Sequence, residues 1–494
     1  IKYSKWDLNA IKIITSIFKS TIFQKQLNYC FPPDEEKFKD FFYVYGNNNE
    51  HVGYKNTNII SRRIMGLISY FDRYGDDYPK LNPIIYKNVK MSDPQFEKLI
   101  EKLDKEHKIE ENNRKKKNMN ANAQESSVFK TYSRLVCNFA FPDDIPRIFP
   151  TELKISNMLN DDNNEYSKQI EIIKKQFINK ISNISDSEKT QILNDSSAKY
   201  IEIIKDINGC EGKILIYSQF RTLEGVGMLS VYLDTLGFSE VINNKININN
   251  ISKNYMIYNL DKEAASEQIK QFNSKDNLRG EKIKILIITL SGSEGISLKN
   301  VRRVLILEPH WNYTIIKQVI GRAVRSGSHS DLPPEEQNVT AYMYLSTATP
   351  LQIKKNETFR LKYLSKTTDQ IILEKSILKQ QNINHLLTLL KESAFDCTIH
   401  SRTNDVNCYK WPINLNKSLE AYKPKFENET ANLLHTKVEL NKTIKGVPYI
   451  LNSKTLTNFK VIKYNNKFYD YYAYIYSNQL IPINKSLLKN KLSI

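Results

Sequence analysis

Residues 283–309 read IKILIITLSGSEGISLKNVRRVLILEP and contain two apolar runs separated by a glycine-containing loop. The runs IKILIITL (283–290) and RRVLILEP (302–309) have the composition of strands that are buried on both faces of a sheet. The loop TLSGSEGISL (289–298) follows the first strand and offers hydroxyl groups and backbone N–H groups to a phosphate. The stretch also fits an ordinary strand-to-helix turn, so we interpret it together with its surroundings.

Around this stretch, apolar strands alternate with amphipathic helices. Further predicted strands are KILIYSQF (213–220), YMIYNL (255–260) and VTAYMYLS (339–346), and predicted helices cover 222–236, 262–273 and 312–325. Ten of the 15 glycines lie in this part of the chain, between Gly209 and Gly327. The alternation predicts an α/β fold with a parallel sheet, in which ligands bind beyond the carboxyl ends of the strands.

Composition and charge narrow the class of protein. The 494 residues carry 72 Lys and Arg against 54 Asp and Glu, a net charge of +18, which favours nucleic acid as a partner. A coding bias toward lysine fits the same excess. The five scattered cysteines predict no disulfide framework and a reducing, intracellular compartment. No apolar run is long enough for a membrane span, and the first residues do not resemble a signal peptide.

Four segments are expected along the chain. A mostly helical lead-in covers 1–150, a helical connector 151–195, the α/β domain 196–350, and a mixed α+β extension 351–494. Within the extension, the tyrosine-rich residues 458–478 predict a β-hairpin that turns at two asparagines. The chain starts with Ile1 rather than Met, so we expect it to continue a longer protein.

The octet QVIGRAVR (318–325) places two arginines behind a glycine. Helical spacing would put Gln318, Gly321, Arg322 and Arg325 on one face. The glycine leaves room for a phosphate chain, and the arginines can neutralise charge that develops during phosphoryl transfer. A solvated basic helix end is the alternative interpretation of the octet taken alone.

The motifs KILIYSQF, ITLSGSEGISL, LEPHWN and QVIGRAVR occur in the order of helicase motifs IV, V, Va and VI. In this order they resemble the second RecA-like lobe of superfamily 2 helicases, particularly Swi/Snf-type translocases. The tail GRAVRSGSHSDLPP (321–334) is also similar to the ATPases of large cytoplasmic DNA viruses, a group that includes poxvirus nucleoside triphosphate phosphohydrolase I and the early transcription factor small subunit. SRRIMGLISYF (61–71), FKTYSRLVCNFAFP (129–142) and LLKESAFDC (389–397) resemble the same group.

The resemblance implies roles for individual residues. Arg325 would be the arginine finger, Arg322 a second contact to the γ-phosphate, and Gln318 a residue at the nucleotide edge. Gly321 would lie beside ATP, and Gly295 and Glu294 would form the turn that couples ATP to nucleic-acid grip. The residues along the tracking strand would be Ser218, Gln219, Thr289 and Ser291. Trp311 and Asn312 would help to join the two lobes, or would serve as a buried aromatic and a helix N-cap.

No phosphate-binding loop G-x-x-x-x-G-K-[ST] accompanies these motifs. GCEGKI (209–214) has the wrong spacing and an isoleucine in the metal-binding position, and PDEEK (33–37) does not follow a buried strand. We therefore expect a first RecA-like lobe, in cis or in trans, to hold ATP and the ligands of Mg²⁺. This chain alone is predicted to be inactive as an ATPase.

The function indicated is the C-terminal half of a viral-type superfamily 2 ATPase that translocates on DNA, with DNA favoured over RNA, in support of viral transcription. If the protein is viral, its expected locations are the virion and the host cytoplasm. The alternatives are an RNA-directed helicase and a non-catalytic subunit that binds nucleic acid or acts as a scaffold. Cys397, His400 and Cys408 lack the fourth ligand that a structural zinc site needs, so no metal is expected here.

Overall fold

The computed structural model describes residues 31–46, 50–70, 77–119, 130–147, 164–242, 245–247, 252–258, 261–293, 295–404, 406–409, 461–464 and 467–470. The chain divides into two compact units, one formed by Ile1–Asp72 with Asn382–Ile494 and the other by Arg73–Gln381. These divisions do not coincide with the boundaries expected from the sequence, because residues on both sides of the α/β segment contribute to the larger unit.

Fourteen α-helices and twelve strands are formed by the described residues. The helices are α1 (Glu35–Phe42), α2 (Thr57–Ile64), α3 (Asp93–Met119), α4 (Thr131–Asn138), α5 (Asn164–Ser182), α6 (Asp186–Ser196), α7 (Ala198–Asn208), α8 (Met228–Thr235), α9 (Lys262–Phe272), α10 (Tyr313–Ala323), α11 (Pro350–Lys355), α12 (Glu357–Lys362), α13 (Thr368–Ser393) and α14 (Cys397–Asn404). The strands are β1 (Tyr43–Tyr45), β2 (His51–Tyr54), β3 (Lys80–Leu81), β4 (Ile85–Lys90), β5 (Lys213–Tyr217), β6 (Ser239–Glu240), β7 (Asn254–Ile257), β8 (Ile285–Ile288), β9 (Val301–Ile306), β10 (Asn338–Thr347), β11 (Val461–Tyr464) and β12 (Lys467–Asp470).

The larger unit is built on an eight-stranded sheet in the order β3-β10-β9-β5-β8-β7-β6, with β4 also paired to β10. All pairings in this sheet are parallel. Every residue of β5 and β8 is buried. Ile214 and Ile216 pack in one apolar core, while Leu215 and Tyr217 pack in another on the opposite face of the sheet. The predicted α/β fold with a parallel sheet covered on both faces is thus confirmed.

The lead-in is not only helical, because β3 and β4 belong to the central sheet. Tyr342 of β10 pairs with Ile85, and the register continues to Thr347 and Lys90. Most residues of β4 are exposed or half-buried, so the strand lacks the apolar run that marks a buried strand in a sequence. The mostly helical lead-in expected over residues 1–150 thus also contributes two strands to the central sheet.

In the smaller unit, β1 and β2 form an antiparallel pair beside α1 and α2. The predicted hairpin is confirmed by the antiparallel pairing of β11 with β12, while its turn residues 465–466 lie outside the described residues. Cys397 at the start of α14 forms a disulfide with Cys408. Among the described cysteines, this pair forms a disulfide that the scattered spacing did not predict. Because both sulfurs are bonded to each other, the zinc interpretation of Cys397, His400 and Cys408 is excluded.

Candidate functional site

Helix α10 carries the arginine motif and is fixed at both ends. Its N-terminus is capped by Asn312, whose Oδ1 accepts a hydrogen bond of 3.0 Å from the Thr314 backbone N–H. One face packs into the core through Ile316, Val319, Ile320 and Ala323. The helix ends at Ala323, so Arg325 lies beyond it and does not share the helical face of Gln318, Gly321 and Arg322 as the spacing predicted.

Both arginines nevertheless meet at the loop that follows β8. Arg322 donates from Nη1 to the carbonyl oxygen of Ile296 at 3.3 Å, and Arg325 donates from Nη1 to the Ser297 hydroxyl. The Leu298 backbone N–H donates to the Arg322 carbonyl at 3.1 Å. Gly295 adopts a φ of +78°, a conformation that side chains rarely allow, and thereby turns the loop toward α10. Glu294 lies outside the described residues.

The segment after α10 is fixed by the buried side chain of His329. His329 donates from Nε2 to the Val301 carbonyl at 2.9 Å, which leaves Nδ1 to accept from the Ser328 hydroxyl at 2.9 Å. Burial lowers the pKa of His329, so the ring is neutral at pH 7. The Arg325 backbone N–H in turn donates to the Ser328 hydroxyl at 3.3 Å. His329 therefore orients the loop that carries Arg325, and it does not face a ligand.

Gln318 and Gly321 have the properties that a ligand-facing surface of α10 requires. The Oε1 atom of Gln318 is buried and accepts no hydrogen bond from the residues that the structure describes. A methyl group added at Gly321 would meet no atom within 4 Å. The helix thus has an open position one turn before Arg325, next to an amide oxygen without a protein donor.

The carboxyl ends of β5, β8 and β9 meet at one edge of the sheet, where the nucleic-acid contacts were predicted. Thr289 and Gln219 are half-buried there. Ser291 lies in the 3₁₀ turn Leu290–Ser293. The side chain of Ser218, in contrast, is fully buried, and its hydroxyl lies 3.1 Å from each carboxylate oxygen of Glu308. Ser218 was predicted to lie along the tracking strand, but its buried hydroxyl supports this edge from within and does not project outward.

Glu308 is the centre of a buried polar cluster that sequence reasoning missed. Its carboxylate accepts hydrogen bonds from the Asn138 amide at 2.8 Å, from the Ser218 hydroxyl and from the Gln219 backbone N–H. Burial raises the pKa of Glu308, and the Gln219 N–H, Lys199 and Asn138 oppose that shift. The sequence signal was an acidic residue at the end of the apolar strand 302–309, which the motif comparison left without a role.

Arg134 completes the cluster from the helix α4. It donates from Nη2 to the side-chain oxygen of Gln219. Its guanidinium lies 5.0 Å from the ring centre of Phe220 and 5.9 Å from that of Trp311. Trp311 is half-buried in this contact, and Asn312 is the N-cap of α10 described above.

Neither GCEGKI (209–214) nor PDEEK (33–37) forms a phosphate-binding loop. Lys213 of GCEGKI begins β5, and its amine is buried and donates to the Phe272 carbonyl at 2.9 Å. Glu35 and Glu36 of PDEEK lie in the first turn of α1, which Asp34 caps. No group of three or more His, Cys, Asp or Glu side chains suited to a metal occurs within the described part of the chain. No described helix is long and apolar enough to cross a membrane.

Comparison with known proteins agrees with the motif order. Residues 197–327 match the model of the helicase conserved C-terminal domain. The chain is 28% identical over 425 residues to a protein of Acanthamoeba polyphaga mimivirus whose name proposes an ATP-dependent RNA helicase, covering 72% of this chain and 49% of that protein. It is 28% identical over 501 residues to nucleoside triphosphatase I of Melanoplus sanguinipes entomopoxvirus, covering 96% of this chain and 66% of the relative.

A shorter match links the chain to the termination factor NPH-I homolog of African swine fever virus, at 29% identity over 253 residues, 44% of this chain and 35% of that protein. The crystal structure of the C-terminal part of the Fun30 ATPase domain overlaps 62% of this chain and 99% of its own length, with 17% identity and a TM-score of 0.33. A score this low leaves the fold assignment to the sheet order described above. The chain spans about half of the length of most of the curated relatives that it matches.

Proposed function

We propose that this chain, whose residues 197–327 form a helicase C-terminal domain, is the arginine-bearing half of a nucleic-acid-dependent superfamily 2 ATPase. In this proposal Arg325 is the arginine finger and Arg322 a second contact to the γ-phosphate. ATP is held by a first RecA-like lobe, in cis or in trans, which also supplies the Mg²⁺ ligands. The assembled motor translocates on DNA in support of viral transcription, in the virion and the host cytoplasm.

The observation that carries this proposal is the meeting of Arg322 and Arg325 with the loop 295–298. An arginine contact to the transferred phosphate is needed only during hydrolysis. The guanidinium groups must therefore be held in place and still be able to exchange their present hydrogen-bond partners for the phosphate. Their partners include the carbonyls of Ile296 and Gly321 and the Ser297 hydroxyl, which a phosphate can replace without leaving a buried charge unpaired. The same loop leaves the edge of the sheet beside Thr289, which gives ATP hydrolysis a short path to the nucleic-acid grip.

The residues of α10 suit the γ-phosphate side of an ATP site and not the side that binds the metal. Gly321 leaves space next to the arginines, and the Gln318 Oε1 atom can accept a hydrogen bond from the nucleotide. The sequence has no phosphate-binding loop, and no group of three or more His, Cys, Asp or Glu side chains suited to a metal occurs among the described residues. This division of labour supports a cleft between two lobes.

Nucleic acid is proposed as the ligand of the sheet edge near Gln219 and Thr289. The net charge of +18 favours a polyanion but does not distinguish DNA from RNA. The relative named as a termination factor supports a role in transcription and hence DNA. The relative whose name proposes an RNA helicase supports an RNA-directed enzyme as the alternative. A non-catalytic binding or scaffold subunit is the third candidate, and the ordered contacts of both arginines favour an active site over it.

The test compares ATP hydrolysis by this chain alone and by the protein that also carries a phosphate-binding lobe. We expect no turnover by the chain alone and nucleic-acid-stimulated turnover by the assembled protein. Arg325→Ala should reduce turnover by about 10³-fold or more, whereas Arg360→Ala, at an exposed position of α12, should not. Turnover by the chain alone that depends on Arg325 would contradict the divided site. Unchanged turnover in the assembled Arg325→Ala protein would exclude the arginine finger, whereas an assembled parent protein without turnover would favour the scaffold role.

Paired DNA and RNA strands of the same sequence separate the two enzyme candidates. Stimulation of hydrolysis by DNA and not by RNA supports a DNA translocase. Stimulation that depends on the 2′-hydroxyl supports the RNA-directed alternative.

A further inference from the structure

Two side chains of α4 reach the loop after β5 from outside the matched helicase domain. Arg134 and Asn138 lie one helical turn apart and therefore on one face of α4. Both are buried within the larger unit. Arg134 contacts the Gln219 side chain and Asn138 contacts the Glu308 carboxylate. Residues upstream of 197–327 thus hold the loop where nucleic acid is proposed to bind.

Asn138 occupies a fixed place because its amide is used on both sides. Its Nδ2 donates to Glu308 at 2.8 Å, and its Oδ1 accepts from the Lys199 ammonium at 2.9 Å. Its backbone carbonyl accepts from the Ser197 hydroxyl at 2.6 Å. The Asn138 amide cannot rotate by 180°, because rotation would place its oxygen against the Glu308 carboxylate and its NH₂ group against the Lys199 ammonium.

Glu308 passes this fixed orientation on to the loop. Its carboxylate accepts hydrogen bonds from the Ser218 hydroxyl and from the Gln219 backbone N–H. Two consecutive residues of the loop are therefore bound to one carboxylate. On the far side of the loop, Gly225 lies so close to the Phe220 carbonyl that an added methyl group would be 1.8 Å from it. The loop is therefore confined from both sides, and Gln219 is the half-buried residue between them.

A buried group of charges is poor evidence of a contribution to stability, since apolar residues of the same shape often serve as well. What such a cluster does provide is directionality, because each of its hydrogen bonds fixes the position of one atom. Here the directed contacts converge on Gln219, through its backbone N–H and its side-chain oxygen.

We propose that Arg134 and Asn138 are positioning residues of the nucleic-acid edge, and that they act through Glu308 and Gln219. This inference rests on the proposed function, because it assumes that nucleic acid binds at this edge. Arg134 and Asn138 do not touch the strand themselves in this arrangement. They set the position of the loop that does.

The first test exchanges donor and acceptor in the hydrogen bond between Asn138 and Glu308. Asn138→Asp places two carboxylates together, and Glu308→Gln removes the acceptor charge. The double variant Asn138→Asp/Glu308→Gln restores a donor and an acceptor, because the new glutamine amide can donate to the new aspartate. Each exchange keeps the shape of the side chain.

Binding of a fluorescein-labelled DNA strand to the 494-residue chain is measured by anisotropy, with the folded fraction of each variant determined by circular dichroism. We expect Asn138→Asp to weaken binding about tenfold and the double variant to recover most of this loss. Asn277→Asp is the matched control, because Asn277 is equally buried and bonded to Phe272 and Ile283 away from this edge. It should leave the affinity of the folded protein unchanged.

The second test uses the salt dependence of binding and keeps the inference testable if Asn138→Asp does not fold. A residue that neutralises a phosphate contributes about one unit to the slope of log affinity against log salt. Arg134→Gln removes the charge and should weaken binding about three- to tenfold with an unchanged slope, because Arg134 acts through Gln219 and not on the strand. In a Trp6→Phe/Trp411→Phe background, the remaining Trp311 emission reports whether the stacked guanidinium has been displaced.

The outcomes separate the inference from the proposed function. If the unaltered chain and the assembled protein bind neither DNA nor RNA, the nucleic-acid part of the proposed function fails. If the unaltered chain binds while Asn138→Asp binds equally well, or the double variant recovers folding without affinity, the positioning role is overturned. A slope reduced by about one unit in Arg134→Gln would also overturn it, because Arg134 would then contact the strand directly.

Discussion

The Lys199 ammonium lies 2.7 Å from the Asp369 carboxylate, and neither side chain reaches solvent. Asp369 also accepts from the Ser346 backbone N–H at 2.9 Å, and Lys199 also donates to Asn138. The pair therefore ties the start of α13 to β10, α7 and the cluster around Glu308. Both charges are fully enclosed, and each is the other's ion-pair partner at hydrogen-bond distance.

We predict that removing one member of this pair costs far more than removing both. Lys199→Met should lower the free energy of unfolding by about 3–5 kcal/mol, because Asp369 is left buried and unpaired. Lys199→Met/Asp369→Leu should be markedly less destabilising than the sum of the single changes. Urea unfolding followed by circular dichroism measures all three variants. A double variant as unstable as the sum would mean that the two groups do not compensate each other.

Lys213 should make stability depend on pH. Burial lowers its pKa to about 7, below the ordinary lysine value of 10.5, so the folded chain releases the proton that the unfolded chain keeps. The unfolded state binds more protons between these values, and the free energy of unfolding should rise as pH increases from about 7 to about 10. Lys213→Met should flatten this rise. The difference in melting temperature between the variant and the parent, measured across this range, isolates Lys213 from other titrating groups. Equal slopes would show that the amine is not buried as described.

Gly225→Ala should disrupt the turn after β5. The added methyl group would lie 1.8 Å from the Phe220 carbonyl oxygen, which is backbone and cannot move aside cheaply. We expect a loss of about 3 kcal/mol or more in unfolding free energy, together with weakened nucleic-acid binding. Gly53→Ala is the control, because no atom lies within 4 Å of its added methyl group. Similar stability losses in both variants would contradict the close packing at Gly225.

Gly321→Ala should separate activity from folding. The new methyl group has space, and alanine favours the helix by about 0.5–1 kcal/mol, so the chain should be as stable as before or slightly more stable. If a phosphate approaches α10 here, the assembled protein should lose ATP turnover. Thermal unfolding and steady-state hydrolysis measure the two effects on the same preparation. Full activity in the variant would place the nucleotide away from Gly321.

The strands at the centre of the sheet could be predicted because their signal is local. KILIY and ILII are buried in every residue, and such runs have no other place in a folded chain than the middle of a covered sheet. The two arginines could also be predicted, because they lie close together in the sequence, within helix α10 and the residues that directly follow it. The edge strand β4 gave no such signal, because its residues are partly exposed.

The sequence by itself determined the parallel sheet, the helix α10 and the residues that we propose to face a phosphate. The tertiary structure alone decided that β4 joins β10, that Ser218 turns inward, and that Arg134 and Asn138 hold the loop after β5. Asn138 and Glu308 are 170 residues apart along the chain. Periodicity reports which face of an element is buried, but not which distant element covers it. Such contacts follow only from the way the chain closes on itself.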